Sequence, residues 1–349
     1  MQTIQTALCS FGMSGMLFHA PFIDVHPKFQ LKAVLERTNR IAHKKYPEIQ
    51  SYSNLDELLA DDDLELVIVN TPNITHFEYA KKVIQAGKHL VVEKPFTATV
   101  HEAEELIALA DKYGVKLSVY HNRRYDSGFR TAKKVLEKSL LGELVDVEMH
   151  FDRYVPELSY KVHKETPTPA VGNLYDLGSH LIDQSLVLFG MPHSVYADFA
   201  SHRPNSKVID YFDVKLFYES HKVTLKSSYF VREPLPGNIF HGKKGSFIKS
   251  NADVQEKDLQ SGKIPSSPDW GIEPENERGL LHAEINGKVI KEYIPTERGD
   301  YMRYYDQIYN SIREGMDLPV TGLDGLKVIK VIEAAIKSNT ERKVIDLKI

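Results

Sequence analysis

Three ionisable residues stand where they could move or stabilise a proton. Lys94 follows an apolar run in the segment E-K-P, and Asp176 and His180 are four residues apart at the start of a helical pattern. A spacing of four places a carboxylate and an imidazole on one helical face. A lysine after a strand is usually solvated, and a histidine on an amphipathic helix is more often structural than catalytic. The three are therefore a candidate proton-transfer set only if they act on one substrate.

A glycine-rich turn follows the first apolar run and reads S-F-G-M-S-G. It matches the dinucleotide fingerprint G-x-G-x-x-G except that Ser10 replaces the first glycine. Gly12 would let the backbone approach a pyrophosphate, and Gly15 would allow close helix–strand packing. The candidate cofactor contacts in this turn are Ser10, Phe11, Gly12, Met13, Ser14 and Gly15. A turn without a nucleotide is the alternative. Pro21 falls inside the following helix, which is predicted to be short or kinked at His19–Ala20.

An acidic residue ends the second apolar run at the distance that the fingerprint requires. Glu36 lies about 20 residues after Gly15, where a carboxylate can accept hydrogen bonds from the adenosine ribose hydroxyls. This position favours NAD. Arg37 follows directly, and its guanidinium suits a 2′-phosphate, so NADP is the alternative cofactor. A third interpretation makes both residues ordinary surface charges.

Two further apolar runs end in polar residues that are expected at the same edge of a sheet. One ends in N-T-P-N-I-T-H and the other in E-K-P. Ligands of open parallel sheets bind beyond the carboxyl ends of the strands. The candidate cofactor contacts here are Thr71, Pro72, Asn73, His76, Glu93 and Lys94. Pro95 prevents further ladder pairing and is expected to direct Lys94 into the cleft.

The first third of the chain alternates short apolar runs with helical patterns. Strands are predicted at 4–11, 31–36, 66–70, 89–93 and 116–120, and helices at about 54–60, 75–86 and 100–113. Strands that are apolar almost throughout are typical of strands covered on both faces. The alternation therefore predicts an α/β domain with an open parallel sheet and right-handed crossovers.

The pattern changes after about Arg124. Strands with period-two alternation are predicted at 144–151, 211–218 and 222–230, and helices at 127–139, 174–189, 301–314 and 323–338. Such alternation indicates an antiparallel sheet with one covered face, and hence an α+β domain. The polar stretch 251–298 is predicted to be an elaborated loop region with short strands. The division falls near residue 122, which gives domains 1–121 and 122–349.

Composition excludes several classes of protein. The 349 residues carry a net charge of -4, which argues against a nucleic-acid partner bound by phosphate neutralisation. No segment has the run of about 18 apolar residues that a membrane span needs, and no targeting segment is recognised, so a cytoplasmic protein is expected. Cys9 is the single cysteine and is expected in the core. No cluster at metal-ligand spacing is found, so no metal is expected.

Five stretches together carry a specific resemblance. They are Ala7–Ile23 with F-G-M-S-G and F-H-A-P-F, Thr71-Pro72 with His76, Glu93-Lys94-Pro95, Asn122-Arg123-Arg124-Tyr125-Asp126, and Tyr175-Asp176-Leu177-Gly178-Ser179-His180. With them the chain resembles the Gfo/Idh/MocA family of NAD(P)-dependent oxidoreductases over nearly its whole length. Within that family it is most similar to scyllo-inositol dehydrogenases. E-K-P and D-x-G-x-H in this order are far more specific than the fingerprint alone.

The resemblance implies a Rossmann domain followed by a domain with a large, mostly antiparallel sheet, whose exposed face often forms homodimers or homotetramers. It also implies catalytic roles for Lys94, Asp176 and His180. The substrate contacts that it implies are Asn122, Arg123, Arg153 and Asp183. Glu36 departs from the Ser-Arg pair of NADP-preferring relatives, which again favours NAD.

The candidate residues suit the oxidation of a secondary alcohol. An imidazole with a pKa of about 6.5 can take the hydroxyl proton at neutral pH, a role for His180. Asp176 can orient the ring, and the Lys94 ammonium can stabilise a developing alkoxide. Lys94 is itself the alternative proton acceptor if burial and charge lower its pKa. The polar residues implied as substrate contacts favour a polyol, inositol or sugar over an apolar alcohol.

Three interpretations stay open at this point. The protein is an NAD(P)-dependent dehydrogenase under the first hypothesis, and under the second it is a non-catalytic dinucleotide sensor that binds a protein partner. The presence of Lys94, Asp176 and His180 argues against the sensor, because a sensor needs no proton-transfer set. A third interpretation keeps the enzyme but changes its substrate to a dihydrodiol, an aldose or an imine.

Overall fold

The computed structural model describes residues 3–38 and 40–347, which form two compact units. The first unit runs to Asn122 and includes two later segments, Gln255–Trp270 and Tyr301–Leu326. The second unit contains Arg123–Val254, Gly271–Asp300 and the chain from Lys327 onward. The domain limits 1–121 and 122–349 stay a prediction, and their residues 1, 2, 348 and 349 lie outside the described part of the chain.

A six-stranded parallel sheet forms the centre of the first unit, in the order β3-β2-β1-β4-β5-β6. The strands are β1 Ile4–Leu8, β2 Phe29–Leu35, β3 Gln50–Tyr52, β4 Leu66–Val69, β5 His89–Glu93 and β6 Leu117–Tyr120. The order reverses between β1 and β4, as in the Rossmann topology. All four residues of β4 are buried, as expected for a strand covered on both faces. The predicted parallel Rossmann sheet is confirmed.

Four helices connect these strands. They are α1 Ala20–Val25, α2 Leu55–Leu59, α3 His76–Gln85 and α4 Val100–Tyr113. Local sequence sets both ends of α4: Thr99 and Glu102 form a reciprocal capping box, and Gly114 ends the helix at φ 66°. A π-helical segment, Gly15–His19, precedes α1. We call it the first π turn. It lies where Pro21 predicts a short or kinked helix.

A nine-stranded sheet dominates the second unit, in the order β14-β13-β12-β11-β7-β10-β9-β8-β15. Its strands are β7 Leu144–His150, β8 Ser194–Ala200, β9 Tyr211–Phe217, β10 Lys222–Ser228, β11 Asn238–Gly242, β12 Gly245–Lys249, β13 Gly279–Ile285, β14 Lys288–Ile294 and β15 Ile345–Asp346. Within the described residues, β7 and β10 are the parallel pair and the other neighbours are antiparallel. The predicted large, mostly antiparallel sheet is confirmed.

Six further helices complete the described elements. They are α5 Ser127–Glu137, α6 Val162–Glu165, α7 Ser179–Phe189, α8 Gln255–Gln260, α9 Met302–Glu314 and α10 Gly322–Glu341. Both α8 and α9 belong to the first unit. A second π-helical segment, Leu174–Gly178, leads directly into α7, and we call it the second π turn. The 3₁₀ segments are Ala42–Lys44, Asn73–Thr75, Asn122–Tyr125 and Glu275–Glu277.

The stretch 251–298 is more regular than its composition predicts. It contains α8 and a hairpin of two seven-residue strands, β13 and β14. Asn286 and Gly287 join these strands with φ of 52° and 76°, as a type I′ turn requires. Short strands were predicted here and are present as β13 and β14, but they are longer and more regular than expected, because β14 is a mostly exposed edge strand whose polar residues resemble a loop.

Candidate functional site

The carboxyl ends of β1 and β4 meet at the point where the strand order of the first sheet reverses. The Asn70 side-chain amide donates to the Ser10 carbonyl at 2.8 Å and so ties the two strand ends together. A Cβ on Gly15 would come within 2.4 Å of that same carbonyl oxygen. Only glycine therefore fits where the helix packs against the strand, as the fingerprint predicts.

The rest of the glycine-rich turn offers an open backbone. A Cβ on Gly12 would meet only the Ser10 hydroxyl, at 3.5 Å, so a larger group has room to approach. The Gly12 N–H donates to that hydroxyl at 3.2 Å, which gives Ser10 a role despite its departure from glycine. Phe11 turns inward and packs edge-on against Tyr46. Met13 is 47% exposed at the start of the helix. The turn fits a dinucleotide pyrophosphate held by backbone N–H groups.

Glu36, the predicted ribose acceptor, points into its own loop. Its Oε1 accepts hydrogen bonds from the N–H groups of Ile41 at 2.8 Å and Ala42 at 3.2 Å. Its Oε2 accepts from the Ser51 hydroxyl at 3.1 Å. The residue is buried, whereas Arg37 beside it is exposed. The carboxylate thus binds the Ile41–Ala42 backbone and Ser51.

His76 connects two of the strand-end turns. Its Nδ1 lies 2.8 Å from the Pro95 carbonyl, and its Nε2 lies 2.9 Å from the Thr71 carbonyl. Burial lowers the pKa of His76, although these carbonyls oppose the shift. The side chain is completely buried and therefore braces these turns. Pro72 and Asn73 lie between Thr71 and His76 in the sequence. Pro72 is exposed and precedes the 3₁₀ segment that begins at Asn73.

Glu93 is the most densely bonded carboxylate near Lys94. It accepts a hydrogen bond from the Ser14 hydroxyl, lies 3.1 Å from His19 Nε2, and accepts from the Lys94 backbone N–H at 3.0 Å. Burial would raise the pKa of Glu93, but the hydrogen bond and charge of His19, the Ser14 hydroxyl and the Lys94 charge lower it to about 2. Glu93 is therefore ionised at neutral pH. Lys94 itself is half-buried, and its peptide bond to Pro95 is cis.

Asp176 and His180 flank the junction between the second π turn and α7. The Asp176 side chain is 36% exposed and lies 4.0 Å from the Lys164 ammonium, whereas His180 is buried. Gly178 stands between them in sequence, and a Cβ there would lie 3.1 Å from Leu174 and 3.3 Å from Phe212. The glycine of D-x-G-x-H therefore lets the turn pack on β9.

Two of the predicted substrate contacts lie around the Phe151 ring, and a third, Asn122, directly precedes one of them in the sequence. The Arg123 guanidinium is 4.7 Å and the Arg153 guanidinium 5.3 Å from the ring centroid. Arg123 also pairs with Asp126 at 3.2 Å. Asn122 is buried at the start of the 3₁₀ segment that contains Arg123. Arg153 keeps an intermediate exposure, which leaves it the most accessible of the three.

Asp183, the fourth predicted substrate contact, has a different partner. Both of its oxygens accept hydrogen bonds from Arg124, at 2.9 Å from Nε and 2.6 Å from Nη2. The Asp183 side chain is only 2% exposed. This fork-to-fork pair ties the 122–125 segment to α7, which carries His180. The structure therefore gives Asp183 a structural partner, and its contact with substrate stays a prediction.

The structure thus groups the predicted residues within each unit. In the first unit, the glycine-rich turn and the Glu93-Lys94 strand end meet through Ser14, while Glu36 and His76 turn inward. In the second unit, Asp176 and His180 lie on either side of the junction between the second π turn and α7. Sequence reasoning missed His19, Lys164 and Arg124. Arg124 stands in the quoted N-R-R-Y-D stretch and His19 in F-H-A-P-F, so both were visible as motif residues, whereas Lys164 carries no sequence signal.

Two other kinds of feature are absent from the described residues. Across residues 3–38 and 40–347, no group of three or more His, Cys, Asp or Glu side chains is placed to hold a metal ion. No helix in the described chain is long and apolar enough to cross a membrane. Cys9 is buried at the end of β1, and burial raises the pKa of its thiol far above the ordinary value.

The Rossmann topology, the glycine-rich turn and the strand-end lysine define a dinucleotide-dependent oxidoreductase. Residues 4–121 match the NAD-binding Rossmann fold of the GFO_IDH_MocA oxidoreductase family, and residues 133–347 match the C-terminal alpha/beta domain of that family. The chain belongs to the Gfo/Idh/MocA family of NAD(P)-dependent oxidoreductases, as the sequence motifs predict.

Individual relatives match over the full length. The chain is 40% identical over 346 residues to scyllo-inositol 2-dehydrogenase (NADP(+)) IolW of Bacillus subtilis, a match that covers 99% of this chain and 96% of that protein. Among solved structures, an oxidoreductase from Bacteroides fragilis is 45% identical with a TM-score of 0.91, covering 99% of this chain and 100% of that one. The oxidoreductase YvaA of Bacillus subtilis is 40% identical with a TM-score of 0.96, covering 99% of both chains.

Proposed function

We propose that this protein oxidises a secondary alcohol of a polyol, inositol or sugar, or reduces the corresponding ketone, with NADP or NAD as the hydride carrier. The observation that carries the proposal is the paired signature: an E-K-P strand end joined to the glycine-rich turn in one unit, and a D-x-G-x-H helix start in the other. The polyol is supported by the relative IolW, whose name gives scyllo-inositol as its substrate.

In this proposal the chain's own residues handle the proton. His180 takes the hydroxyl proton, and Asp176, four residues earlier, orients the imidazole and stabilises its cation. Lys94 stabilises the negative charge that develops on the substrate oxygen. The alternative assignment makes Lys94 the acceptor. The bound nicotinamide supplies the hydride chemistry. Backbone N–H groups of the 10–15 turn would hold its pyrophosphate.

The proposed cofactor preference is for NADP, a change from the preference that Glu36 suggests in the sequence. The Glu36 carboxylate already accepts hydrogen bonds from Ile41, Ala42 and Ser51. Arg37 and Arg40 lie between Glu36 and Ile41 in the sequence and are exposed. Guanidinium groups suit a 2′-phosphate. The NADP(+) in the name of IolW agrees with this assignment.

A substrate panel with matched lysine variants tests the activity. Wild-type protein with inositols, sugars and linear polyols should form reduced cofactor. Lys94→Met should lower turnover at least about 1,000-fold, with cofactor binding retained. Lys88→Met is the control, because Lys88 lies at the other end of β5 and donates to the Asp61 carbonyl. Full turnover by Lys94→Met would contradict its role, and tight cofactor binding without any hydride transfer would favour the sensor.

A second comparison assigns the proton and the cofactor. His180→Asn should remove the acid limb of the pH–rate profile, and a variant that keeps this limb would assign the proton to Lys94. Fluorescence titration should show that NADPH binds at least about tenfold more tightly than NADH. The double variant Arg37→Ala/Arg40→Ala should remove this difference. Tighter binding of NADH by wild-type protein would contradict the NADP assignment.

A further inference from the structure

The first π turn brings a histidine against the carboxylate beside Lys94. His19 is the last residue of the Gly15–His19 segment, and its side chain is completely buried. A π turn inserts one extra residue and so changes the face on which the following side chains point; such turns are frequent at functional sites. In this fold the inserted turn directs an imidazole to Glu93, 74 positions away in the sequence.

We propose that His19 is a positioning residue of the hydride-transfer site: through the Glu93 carboxylate it fixes the Lys94 backbone and the phosphate-binding turn relative to each other. The inference rests on the proposed function for the role of Lys94. The inference goes beyond the proposed function because it gives a positioning role to His19, which is not among the residues proposed to bind the pyrophosphate or to move the proton.

Three chain segments meet at the Glu93 carboxylate. Ser14 belongs to the glycine-rich turn and donates its hydroxyl proton to Oε1. His19 Nε2 approaches the same oxygen at 3.1 Å, and the Lys94 N–H donates to Oε2 at 3.0 Å. A buried carboxylate needs each of these donors, because an uncompensated buried charge is costly. Loss of one donor should therefore move the other two segments.

His19 has little freedom to do anything else. Its Nδ1 lies 2.7 Å from the Tyr305 hydroxyl oxygen, which is also 3.1 Å from the Phe18 carbonyl oxygen. Its ring lies 4.4 Å from the Tyr120 ring, centroid to centroid. With Nδ1 fixed by Tyr305, Nε2 is held toward Glu93. A side chain fixed on two sides can hold a third group in place, as a supporting shell must.

A matched pair of histidines separates positioning from simple stability. His26 is also buried in the first unit and lies 3.1 Å from an Asp306 carboxylate oxygen. That contact has the same length as the contact between His19 and Glu93 but involves none of the strand-end residues. His26→Leu therefore removes a histidine–carboxylate contact without touching Glu93. His19→Gln is the conservative variant, because its amide can donate to Glu93 and accept from Tyr305.

The experiment measures NADPH dissociation constants by fluorescence, thermal unfolding, and turnover at saturating cofactor for wild type, His19→Leu, His19→Gln and His26→Leu. His19→Leu should raise the dissociation constant about tenfold and lower turnover about 100-fold, since displacement of about 1 Å at a reacting group has effects of this size. His19→Gln should recover most of both losses. His26→Leu should lower thermal stability while binding and turnover stay at wild-type values.

Two results would overturn the inference. One is a folded His19→Leu variant that binds NADPH and turns over like wild type, and the other is an equal loss in His26→Leu. If His19→Leu does not fold, Ser14→Ala removes another Glu93 donor, and unchanged binding in that variant counts against the inference. If wild type transfers no hydride, the proposed function fails, and the ratio of dissociation constants alone decides the role of His19.

Discussion

The two π turns occupy equivalent places in their units, because each contains candidate functional residues and leads directly into a helix, yet their charged groups differ in exposure. In the first, His19 and the Glu93 that it meets are buried, and their contacts are satisfied within the unit. In the second, Asp176 is 36% exposed, and its partner Lys164 is 44% exposed at 4.0 Å.

This difference separates residues that hold a site from residues that act in one. Buried, fully bonded groups define geometry, because moving them breaks several hydrogen bonds at once. A partly exposed carboxylate beside a partly exposed ammonium can exchange partners when a substrate arrives. Under the proposed function, the first π turn would thus support the cofactor-binding half, and the second would present the groups that act on the substrate. The second region also contains a buried group, because the His180 imidazole, one turn from Asp176, is buried and its motion is therefore restricted.

The largest expected effect concerns the buried Arg124–Asp183 ion pair of the second unit. Asp183→Asn or Arg124→Met should lower the free energy of unfolding by about 3–5 kcal/mol, because each leaves an uncompensated buried group. Urea unfolding measures this change. The double variant Arg124→Met/Asp183→Leu should recover part of the loss, and a single variant of wild-type stability would show that α7 is not anchored by this pair.

The next largest effect is the loss of stability at acid pH that the buried Glu93 carboxylate of the first region should cause. The pKa of Glu93 is lowered to about 2 from 4.5, so its contribution is complete above pH 4.5 and is lost as the pH falls through 2. The contribution is on the order of 3 kcal/mol. Unfolding free energies of wild type should therefore fall over this window more steeply than those of Glu93→Gln. Parallel curves for the two proteins would contradict the assignment.

One glycine from each π turn gives a smaller, paired effect. A Cβ at Gly15 would meet a backbone carbonyl at 2.4 Å, whereas a Cβ at Gly178 would meet side chains at 3.1 Å and 3.3 Å. Gly15→Ala should cost about 1–3 kcal/mol and weaken cofactor binding. Gly178→Ala should cost less, because Leu174 and Phe212 can move. Chemical unfolding and NADPH titration of both variants test this order.

The smallest effect should come from the partly exposed Lys164–Asp176 ion pair. Lys164→Met should change the free energy of unfolding by less than about 1 kcal/mol, since exposed ion pairs at this distance contribute little. The matched variant Lys134→Met removes another half-exposed lysine of the second unit, which pairs with Glu297. A loss for Lys164→Met as large as that for Asp183→Asn would contradict the account. It would mean that the exposed Lys164–Asp176 pair contributes as much stability as the buried Arg124–Asp183 pair.

Sequence pattern was sufficient for the elements whose signals are local. The limits predicted for β5 and α4 are those observed, because an apolar run, a capping box and a terminal glycine define them. The prediction for 251–298 gave short strands without limits and did not locate the hairpin of β13 and β14, although Asn286-Gly287 is a strong turn signal. The mostly exposed β14 lacks apolar alternation.

For the candidate site, the sequence predicts the residue types better than the directions in which their side chains point. Gly15 occupies the position that the fingerprint requires, because its role depends on local geometry. Glu36 and Asp183 carry the right residue types, but their side chains point to Ile41 and Arg124. Partners distant in sequence decide that direction, and so does the contact between His19 and Glu93. No spacing within one segment specifies such partners.

Transfer of deuterium from substrate to cofactor tests the central claim most directly. Wild-type protein is incubated with NADP or NAD and with polyols deuterated at their carbinol carbons, and the isolated reduced cofactor is analysed by mass spectrometry. We predict deuterium in the reduced nicotinamide for wild type and none above background for Lys94→Met, which still binds cofactor. A wild-type protein that binds NADPH tightly but yields no deuterated cofactor from any inositol, sugar or linear polyol would contradict the proposed dehydrogenase.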